Sequence, residues 1–379
     1  MRFRCQTKQL QEAIAIAVKA VSARPSTPIL EGLLIESDEN GIKLTGSDEL
    51  TTITTSIDAS ILEEGRLALP GRLLSDVIRK LPDADVELRF DENDPSRKAS
   101  LRCLGSRTML TGLNADDYPV RQEVEEKVGF TAPQEGLRTL IQRTLFSVAT
   151  DESRPILTGA SLEVGEDGLT MAALDGFRLA IAHMDAPESE RMGCSPVQVV
   201  IPGKVLGELQ HILSGDEEPA EISISDRFIR FRVGRTQIDA RLLEGEFMKY
   251  RQILPTDWQT RIVAPIPALA EALDRASLIA RVSKNNLVKL TINEDQLTVS
   301  SNAEQNQSQE EVEGVSTEGK PLEIAFNERY LNDILKVLDD DEIEVRFQTN
   351  VSPCILKPLE GDEYLYLVLP IRVYLAPAR

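Results

Sequence analysis

The sequence repeats itself at a nearly constant interval. The string Pro28-Ile-Leu30 returns as Pro155-Ile-Leu157, 127 positions later, and the residues around Asp48 return around Asp175 at the same interval. Matches that keep their order and spacing over this length indicate duplication of one structural element. The duplication constrains the fold more than any other feature, because each copy must adopt the same local structure.

A third, fainter copy follows the first two. Pro-Gly pairs at Pro70 and Pro202 precede equivalent helix-like stretches, and Phe326 lies just before the corresponding stretch in the third copy. The strand-like run Val86–Phe90 (VELRF) also returns as Ile343–Phe347 (IEVRF). The chain therefore reads as three copies of one repeat.

Each repeat combines two helices with several short strands. Leu10, Ile14 and Val18 lie at helical spacing on one face, and runs such as Ile42–Thr45 alternate as strands do. We expect two helices and about seven or eight strands per repeat, which favours antiparallel sheets and an α+β class. The predicted domains are residues 1–120, 129–254 and 259–379.

Motifs of enzymes and metal sites are missing from the sequence. It has two histidines, His183 and His211, and four dispersed cysteines without a CxxC pair, a P-loop or a GxSxG elbow. Asp48 and Asp175 could be imagined as a catalytic carboxylate pair, but equivalent positions in separate repeats favour turn roles for both. We expect a non-enzyme with no catalytic residue, metal or cofactor.

The start of the chain and its hydropathy favour the cytoplasm. MRFRCQTKQL is charged, and no stretch approaches the roughly 18 apolar residues of a membrane span. Cysteines without a disulfide pattern fit a reducing compartment. We expect a cytoplasmic protein that does not contact membranes.

Positive charge is concentrated in the predicted helices. The net charge is −20, yet the helices together carry +7, which leaves −27 for the rest of the chain. The helices counted span 7–24, 71–80, 137–145, 203–213, 268–284 and 327–338. Either Lys and Arg are simply good helix formers on solvated faces, or the helices face a phosphate backbone. No base-reading motif accompanies them, so such binding would be independent of base sequence.

Several motifs together resemble one bacterial family. They are Arg24–Leu30, Thr45–Asp48, Asp175–Leu179, Phe326-Asn327 with Tyr330, and Val368–Arg372. In their order and spacing they resemble the DNA polymerase III beta subunit family, the sliding clamps, over essentially the whole chain. In that family, two crescents of three domains close head to tail into a ring around duplex DNA. The resemblance implies a homodimeric processivity factor with the DNA clamp fold, which tethers the replicative polymerase.

The resemblance also implies which cations face DNA. Arg24 matches a family position that touches DNA, although a cation at a helix C-terminus is also favourable with the helix dipole. The remaining candidates are basic residues of helices and of one loop: Arg72, Arg79, Lys80, Arg138, Arg143, Arg154, Lys204, Arg281 and Lys284.

A partner-binding cleft is implied by the same resemblance. Its residues would form an apolar groove for a short peptide with Leu or Phe anchors, used by the polymerase, the clamp loader and other clamp-binding proteins. The matching positions are Leu157, Leu174, Gly176, Phe177, Arg178, Leu179, Met248, Ile253, Asn327, Tyr330, Leu367, Leu369, Pro370, Ile371 and Arg372. Leu174, Phe177 and Met248 depart from common family residues, so peptide preference is expected to differ.

Ring closure would use the first and third repeats. The implied interface residues are Arg102, Arg107 and Met109 on one subunit, and Leu278, Ile279, Glu304 and Glu310 on the other. The alternative to a clamp is an acidic scaffold of repeated α+β domains that does not bind DNA.

Overall fold

The computed structural model describes residues 1–22, 27–119, 127–185, 196–215, 218–282, 286–294, 296–303 and 306–372. The chain divides into two compact units. The first contains Met1–Glu135 and Lys204–Leu242, and the second contains Gly136–Gly203 and Leu243–Arg379. The middle repeat thus contributes to both units.

Six α-helices lie within the described residues, two per repeat as predicted. They are α1 (Thr7–Ala17), α2 (Gly71–Arg79), α3 (Gln134–Leu145), α4 (Gly203–Ile212), α5 (Ile266–Ala280) and α6 (Glu328–Leu335). None of these described helices is both long and apolar enough to span a bilayer.

Strands make up most of the remaining structure. Numbered in chain order, the described strands are β1 (Arg2–Gln6), β2 (Gly32–Asp38), β3 (Gly41–Ser47), β4 (Thr51–Asp58), β5 (Ser60–Glu63), β6 (Arg66–Pro70), β7 (Asp85–Phe90), β8 (Lys98–Cys103), β9 (Ser106–Thr111), β10 (Val128–Ala132), β11 (Gly159–Val164), β12 (Gly168–Leu174), β13 (Arg178–Asp185), β14 (Val197–Pro202), β15 (Ala220–Ile224), β16 (Phe228–Val233), β17 (Thr236–Arg241), β18 (Thr260–Pro265), β19 (Leu287–Asn293), β20 (Gln296–Ala303), β21 (Asn306–Val312), β22 (Ser316–Gly319), β23 (Leu322–Asn327), β24 (Glu342–Phe347), β25 (Cys354–Lys357) and β26 (Tyr364–Val368).

The described strands number nine, eight and nine in the three repeats, slightly more than expected. The additional strands include β5 and β22, each of four residues. Strands this short carry too few alternating positions to be recognised from sequence.

Two antiparallel sheets form the first compact unit. One has the order β5-β1-β7-β8-β9, and the other has the order β10-β15-β16-β17-β4-β3-β2-β6. The larger sheet joins two repeats, because β17 pairs with β4. Leu10 and Ile14 of α1 are buried in a core with Leu33 and Leu44 of the larger sheet.

The second compact unit is built in the same way. Its sheets have the orders β14-β11-β12-β13-β26-β25-β24-β18-β22 and β21-β20-β19-β23. Here β13 pairs with β26, which again joins two repeats in one sheet. The α+β class and the repeated two-helix, antiparallel-sheet architecture are confirmed.

The first helix is shorter than the periodicity predicted. It ends at Ala17, and a 3-10 turn over Val18–Ala20 follows before Val21 takes an extended conformation. The N–H of Val21 donates to the carbonyl of Val18 at 3.0 Å, which tightens the last turn. β-Branched valines have lower helix propensity, so the local sequence fits this end.

The repeated Pro-Ile-Leu strings adopt the same structure. They form 3-10 helices at Pro28–Glu31 and Pro155–Thr158, which lead directly into β2 and β11. The proline stands in the first turn of each, where its fixed φ and missing N–H are tolerated. The strings are therefore one structural joint present in two copies.

Candidate functional site

The two repeated aspartates are turn residues. Asp175 Oδ1 accepts the N–H groups of Phe177 at 2.9 Å and Arg178 at 3.0 Å. Asp48 Oδ1 likewise accepts the N–H groups of Leu50 at 3.2 Å and Thr51 at 2.7 Å. Such side-chain bonds to the backbone two and three residues on stabilise tight turns. The turn interpretation is thereby confirmed.

An apolar patch lies on the second compact unit beside the Asp175 turn. Its floor consists of buried side chains in one cluster, and its rim consists of apolar side chains that remain more than a third exposed. The floor contains Leu157, Leu174, Leu179 and Leu367, and the rim contains Phe177, Met248, Ile253 and Leu369. Most of the apolar residues assigned to the cleft from sequence thus fall into one buried cluster with an exposed rim.

Backbone pairing fixes the C-terminal part of this patch. Leu179 of β13 lies opposite Leu367 of β26. Beyond the strand, the N–H of Leu369 donates to the carbonyl of Phe177 at 2.9 Å, and the N–H of Ile371 donates to the carbonyl of Ala325 at 2.7 Å. Pro370 and Ile371 are half-buried and Arg372 is exposed.

Arg178 has a structural role that the sequence did not predict. Its Nε donates to Asp175 Oδ2 at 3.0 Å, its Nη1 to Asp333 Oδ2 at 2.7 Å, and its Nη2 to the carbonyl of Phe146 at 2.5 Å. The side chain is only 10% exposed. Because each of the three guanidinium nitrogens already donates to an acceptor, Arg178 holds the Asp175 turn, α6 and the residues after α3 together beside the patch.

The same guanidinium supports an aromatic wall at the rim. Its carbon lies 4.8 Å from the centroid of the Tyr330 ring, and that ring stacks on Phe177 with centroids 6.2 Å apart. Burial, together with the nearby Asp175 charge, raises the pKa of the Tyr330 hydroxyl. Phe177 remains 59% exposed, so its outer surface is available for contact.

Two further residues assigned to the cleft have local backbone roles. Gly176 has φ of +92°, a left-handed conformation that side chains rarely adopt. Asn327 is the N-cap of α6, and its Oδ1 accepts the N–H of Arg329 at 3.0 Å. Both residues shape the chain around the patch.

Sequence reasoning missed several floor residues. Phe247, Tyr250 and Ile355 belong to the same buried cluster as Leu174. The Tyr250 hydroxyl donates to Glu163 Oε1 at 2.9 Å, and burial raises its pKa. The repeat did offer a signal for Tyr250. Tyr118 lies 132 positions before it, and the same interval separates Pro70 from Pro202 in the two Pro-Gly pairs.

The predicted DNA-facing cations fall into two groups. The first group is exposed: Arg72, Lys80, Arg138 and Arg154. Side chains in the second group contact other side chains: Arg79 with Asp76 at 2.7 Å, Lys204 with Asp48 at 2.8 Å, Arg281 with Glu328 at 2.9 Å, and Arg143 over the Tyr364 ring at 5.0 Å. Of these, Arg79, Lys204 and Arg281 are also more than half exposed. Arg24 and Lys284 lie outside the described residues.

The predicted interface residues lie near two sheet edges. Arg102, Arg107 and Met109 are exposed on β8 and β9, and Leu278 is 66% exposed on α5 beside the half-buried Ile279. Glu310 on β21 already accepts a bond from Arg275 Nε at 2.6 Å, and this bond lowers its pKa. Glu304 lies outside the described residues.

Comparison with known families decides what this fold is. The N-terminal, central and C-terminal domains of the DNA polymerase III beta subunit match residues 1–122, 131–249 and 251–372 in turn. The chain belongs to the DNA polymerase III beta subunit family.

Relatives across the whole chain agree with this assignment. A beta sliding clamp of Staphylococcus aureus (strain Mu50) is 36% identical over 367 residues, covering 94% of this chain and 95% of the relative. The sliding clamp structure from Bacillus subtilis is 34% identical with a TM-score of 0.91, covering 99% of this chain and 100% of that one. The chain therefore has the three-domain DNA clamp fold and functions as a DNA sliding clamp in replication.

A second solved relative carries a ligand. The sliding clamp from Pseudomonas aeruginosa, solved bound to griselimycin, is 29% identical with a TM-score of 0.90. It covers 98% of this chain and 100% of that one.

Among the described residues of the present chain, no cluster of three or more His, Cys, Asp or Glu could hold a metal ion.

Proposed function

We propose that two copies of this chain close head to tail into a ring that encircles duplex DNA. The observation that supports this proposal is a pair of sheet edges in the described structure. β9 is the outer strand of the five-stranded sheet, and β21 is the outer strand of the four-stranded sheet. Pairing β9 of one copy with β21 of another would make a nine-stranded sheet, comparable to the eight- and nine-stranded sheets that already join neighbouring repeats.

Within such a ring, we propose three domains over residues 1–120, 129–254 and 259–379. The cations that would face the DNA backbone are Arg24, Arg72, Arg79, Lys80, Arg138, Arg143, Arg154, Lys204, Arg281 and Lys284. A closed ring stays on DNA by topology, so its phosphate contacts need not be tight. Weak, salt-sensitive contacts would let the ring slide along any base sequence.

The apolar patch is proposed as the site that tethers partners. Exposed Phe177, Met248, Ile253 and Leu369 surround a buried leucine floor, which suits Leu or Phe side chains of a short peptide. The griselimycin-bound clamp of Pseudomonas aeruginosa supports a ligand site on this fold. The replicative polymerase, the clamp loader and other clamp-binding proteins would share this patch. The chain itself would catalyse no reaction and would act in the cytoplasm.

Sedimentation at micromolar concentration tests the ring. The wild-type chain is expected to sediment as a dimer, and Met109→Asp is expected to sediment as a monomer, because it places a charge at the proposed β9 contact. Val351→Asp is the control, since Val351 is similarly exposed at 54% but belongs to the loop between β24 and β25 and not to β9 or β21. A monomeric wild-type chain, or a Met109→Asp variant that remains fully dimeric, would contradict the proposal.

A further inference from the structure

The first compact unit carries a pocket of 590 Å³ on its eight-stranded sheet, outside every site described above. Its lining includes strand residues of β3, β4 and β17 together with Tyr118. The volume lies within the range of roughly 300–1,000 Å³ that is usual for ligand sites.

This pocket occupies the same place in its sheet as the apolar patch does in the other compact unit. Thr52 lies opposite Asp239 where β4 pairs with β17. Leu179 lies opposite Leu367 where β13 pairs with β26. Since Thr52 and Leu179 are 127 positions apart, the two pairs are equivalent in the repeat. The pocket and the patch are therefore two copies of one surface.

The two copies differ in chemistry. Four apolar positions around the patch are polar in the pocket, with the strand registers unchanged. Leu174 of the patch corresponds to Ser47 of the pocket, Leu179 to Thr52, Ile181 to Thr54, and Leu367 to Asp239. Tyr250 and Tyr118 keep an aromatic ring at the side of both.

Hydroxyl pairs form the floor of the pocket. Thr45 Oγ1 and Thr54 Oγ1 lie 3.3 Å apart, and Ser47 Oγ and Thr52 Oγ1 lie 2.9 Å apart. Each hydroxyl carries one donor and two acceptor lone pairs. Ser47 Oγ also accepts the N–H of Glu49 at 3.2 Å. Each pair still has a second O–H group and further lone pairs that can bind a ligand.

Charged side chains also line the same pocket: Asp239, Glu36, Lys43, Glu49 and Arg66. Asp239 is the one opposite Thr52. Its side chain is only 9% exposed, and its Oδ1 accepts from Arg230 Nε at 2.5 Å and from Gln237 Nε2 at 2.9 Å. A large apolar anchor would have to pack beside this buried ion pair, and would leave the remaining donors and lone pairs of the hydroxyl floor without water. An amide suits the floor better, because it both donates and accepts hydrogen bonds.

We propose that this pocket is a second binding site, for a short peptide segment carrying amide and hydroxyl side chains such as Asn, Gln and Ser. Its polar lining rejects the Leu and Phe anchors that suit the apolar patch. One chain thus presents two equivalent surfaces with opposite peptide preferences, which goes beyond the proposed tethering of partners at the patch.

Disulfide tethering tests the preference directly. In a Cys194→Ser background, Leu50→Cys places a thiol at the pocket rim, where Leu50 is 57% exposed. Two thiol-bearing acetylated tripeptides serve as probes, one of Ser and Gln and one of Leu and Phe. Mass spectrometry after equilibration in a thiol buffer measures the labelled fraction. Leu104→Cys is the control, because Leu104 is 79% exposed in the β8–β9 turn.

The polar probe is expected to label Leu50→Cys several-fold more than the apolar probe, while both label Leu104→Cys equally. Adding Ser47→Leu and Thr52→Leu to Leu50→Cys is expected to reverse the preference. Equal labelling of Leu50→Cys by both probes, or the same polar preference at Leu104→Cys, would overturn the proposal. The preference measured at Leu50→Cys involves neither the patch nor the strands β9 and β21, so it is independent of the proposed function.

Discussion

The guanidinium carbon of Arg178 lies 4.8 Å from the centroid of the Tyr330 ring. The residues are far apart in sequence, one at the start of β13 and the other in α6. Tyr330 stacks on Phe177 in turn, so Arg178 supports the exposed aromatic wall of the patch without forming it. The peptide preference of the patch should therefore depend on a side chain that a bound peptide need not touch.

Arg178→Lys tests this support. Lysine keeps the charge but cannot bind Asp175, Asp333 and the Phe146 carbonyl from one planar group. We expect unfolding free energy to fall by about 1–3 kcal/mol and affinity for a Leu- and Phe-containing peptide to fall several-fold. Thermal unfolding and calorimetry measure the two effects, with exposed Arg72→Lys as control. Unchanged peptide affinity would show that the wall does not need Arg178.

Removing Leu369–Arg372 tests the patch as the partner site. The segment supplies a rim side chain, and its backbone is bonded to Phe177 and Ala325. We expect the deletion to abolish binding of the same peptide, measured by calorimetry, while sedimentation still shows a dimer, because β9 and β21 are unaltered. Wild-type peptide affinity in the deleted chain would contradict the assignment of the patch.

Acid stability should depend on Glu344. Burial raises the pKa of this carboxyl, but hydrogen bonds from Arg261 and Arg346 lower it more, so the net pKa lies below the usual 4.5. A lowered folded-state pKa contributes stability that is present above 4.5 and is lost as pH falls through the folded value. The bond from Arg261 Nη2 to Glu344 Oε2 is 3.2 Å long.

We therefore expect the melting temperature of the wild-type chain to exceed that of Glu344→Gln at about pH 7 and to approach it at about pH 3.5. Exposed Glu342→Gln controls for removal of a carboxylate from the same strand. A difference between wild type and Glu344→Gln that stays constant across this range would show that Glu344 is not responsible.

The repeat and the apolar periodicity were sufficient to predict the helices and the strand-rich α+β class, whereas the leucines of the patch followed only from the family resemblance. Contacts between distant residues were not predictable from local pattern. Carboxylates lie beside two of the predicted DNA-facing cations, Glu328 beside Arg281 and Asp48 beside Lys204, and the latter pair is 156 positions apart in sequence. The joining of repeats by β4 with β17 and by β13 with β26 is likewise invisible in local patterns.

Tyr250 shows what more the repeat could have revealed. A buried tyrosine looks like any core residue in sequence, but its equivalent Tyr118 is buried beside the same joint and donates to the carbonyl of Thr45 at 3.1 Å. Comparing the copies position by position would have identified both buried tyrosines. It would not have shown that the hydroxyls of Ser47 and Thr52 pair with each other, because that depends on strand register.

Retention on DNA tests the central claim most directly. The clamp loader and ATP first load the wild-type chain onto nicked circular DNA. Half of this DNA is then linearised, and gel filtration separates DNA-bound protein from free protein for each form. We expect the protein to remain with the circle and to be lost from the linear DNA, because a topological ring slides off free ends. Equal retention on both forms, or none on the circle, would contradict an encircling clamp.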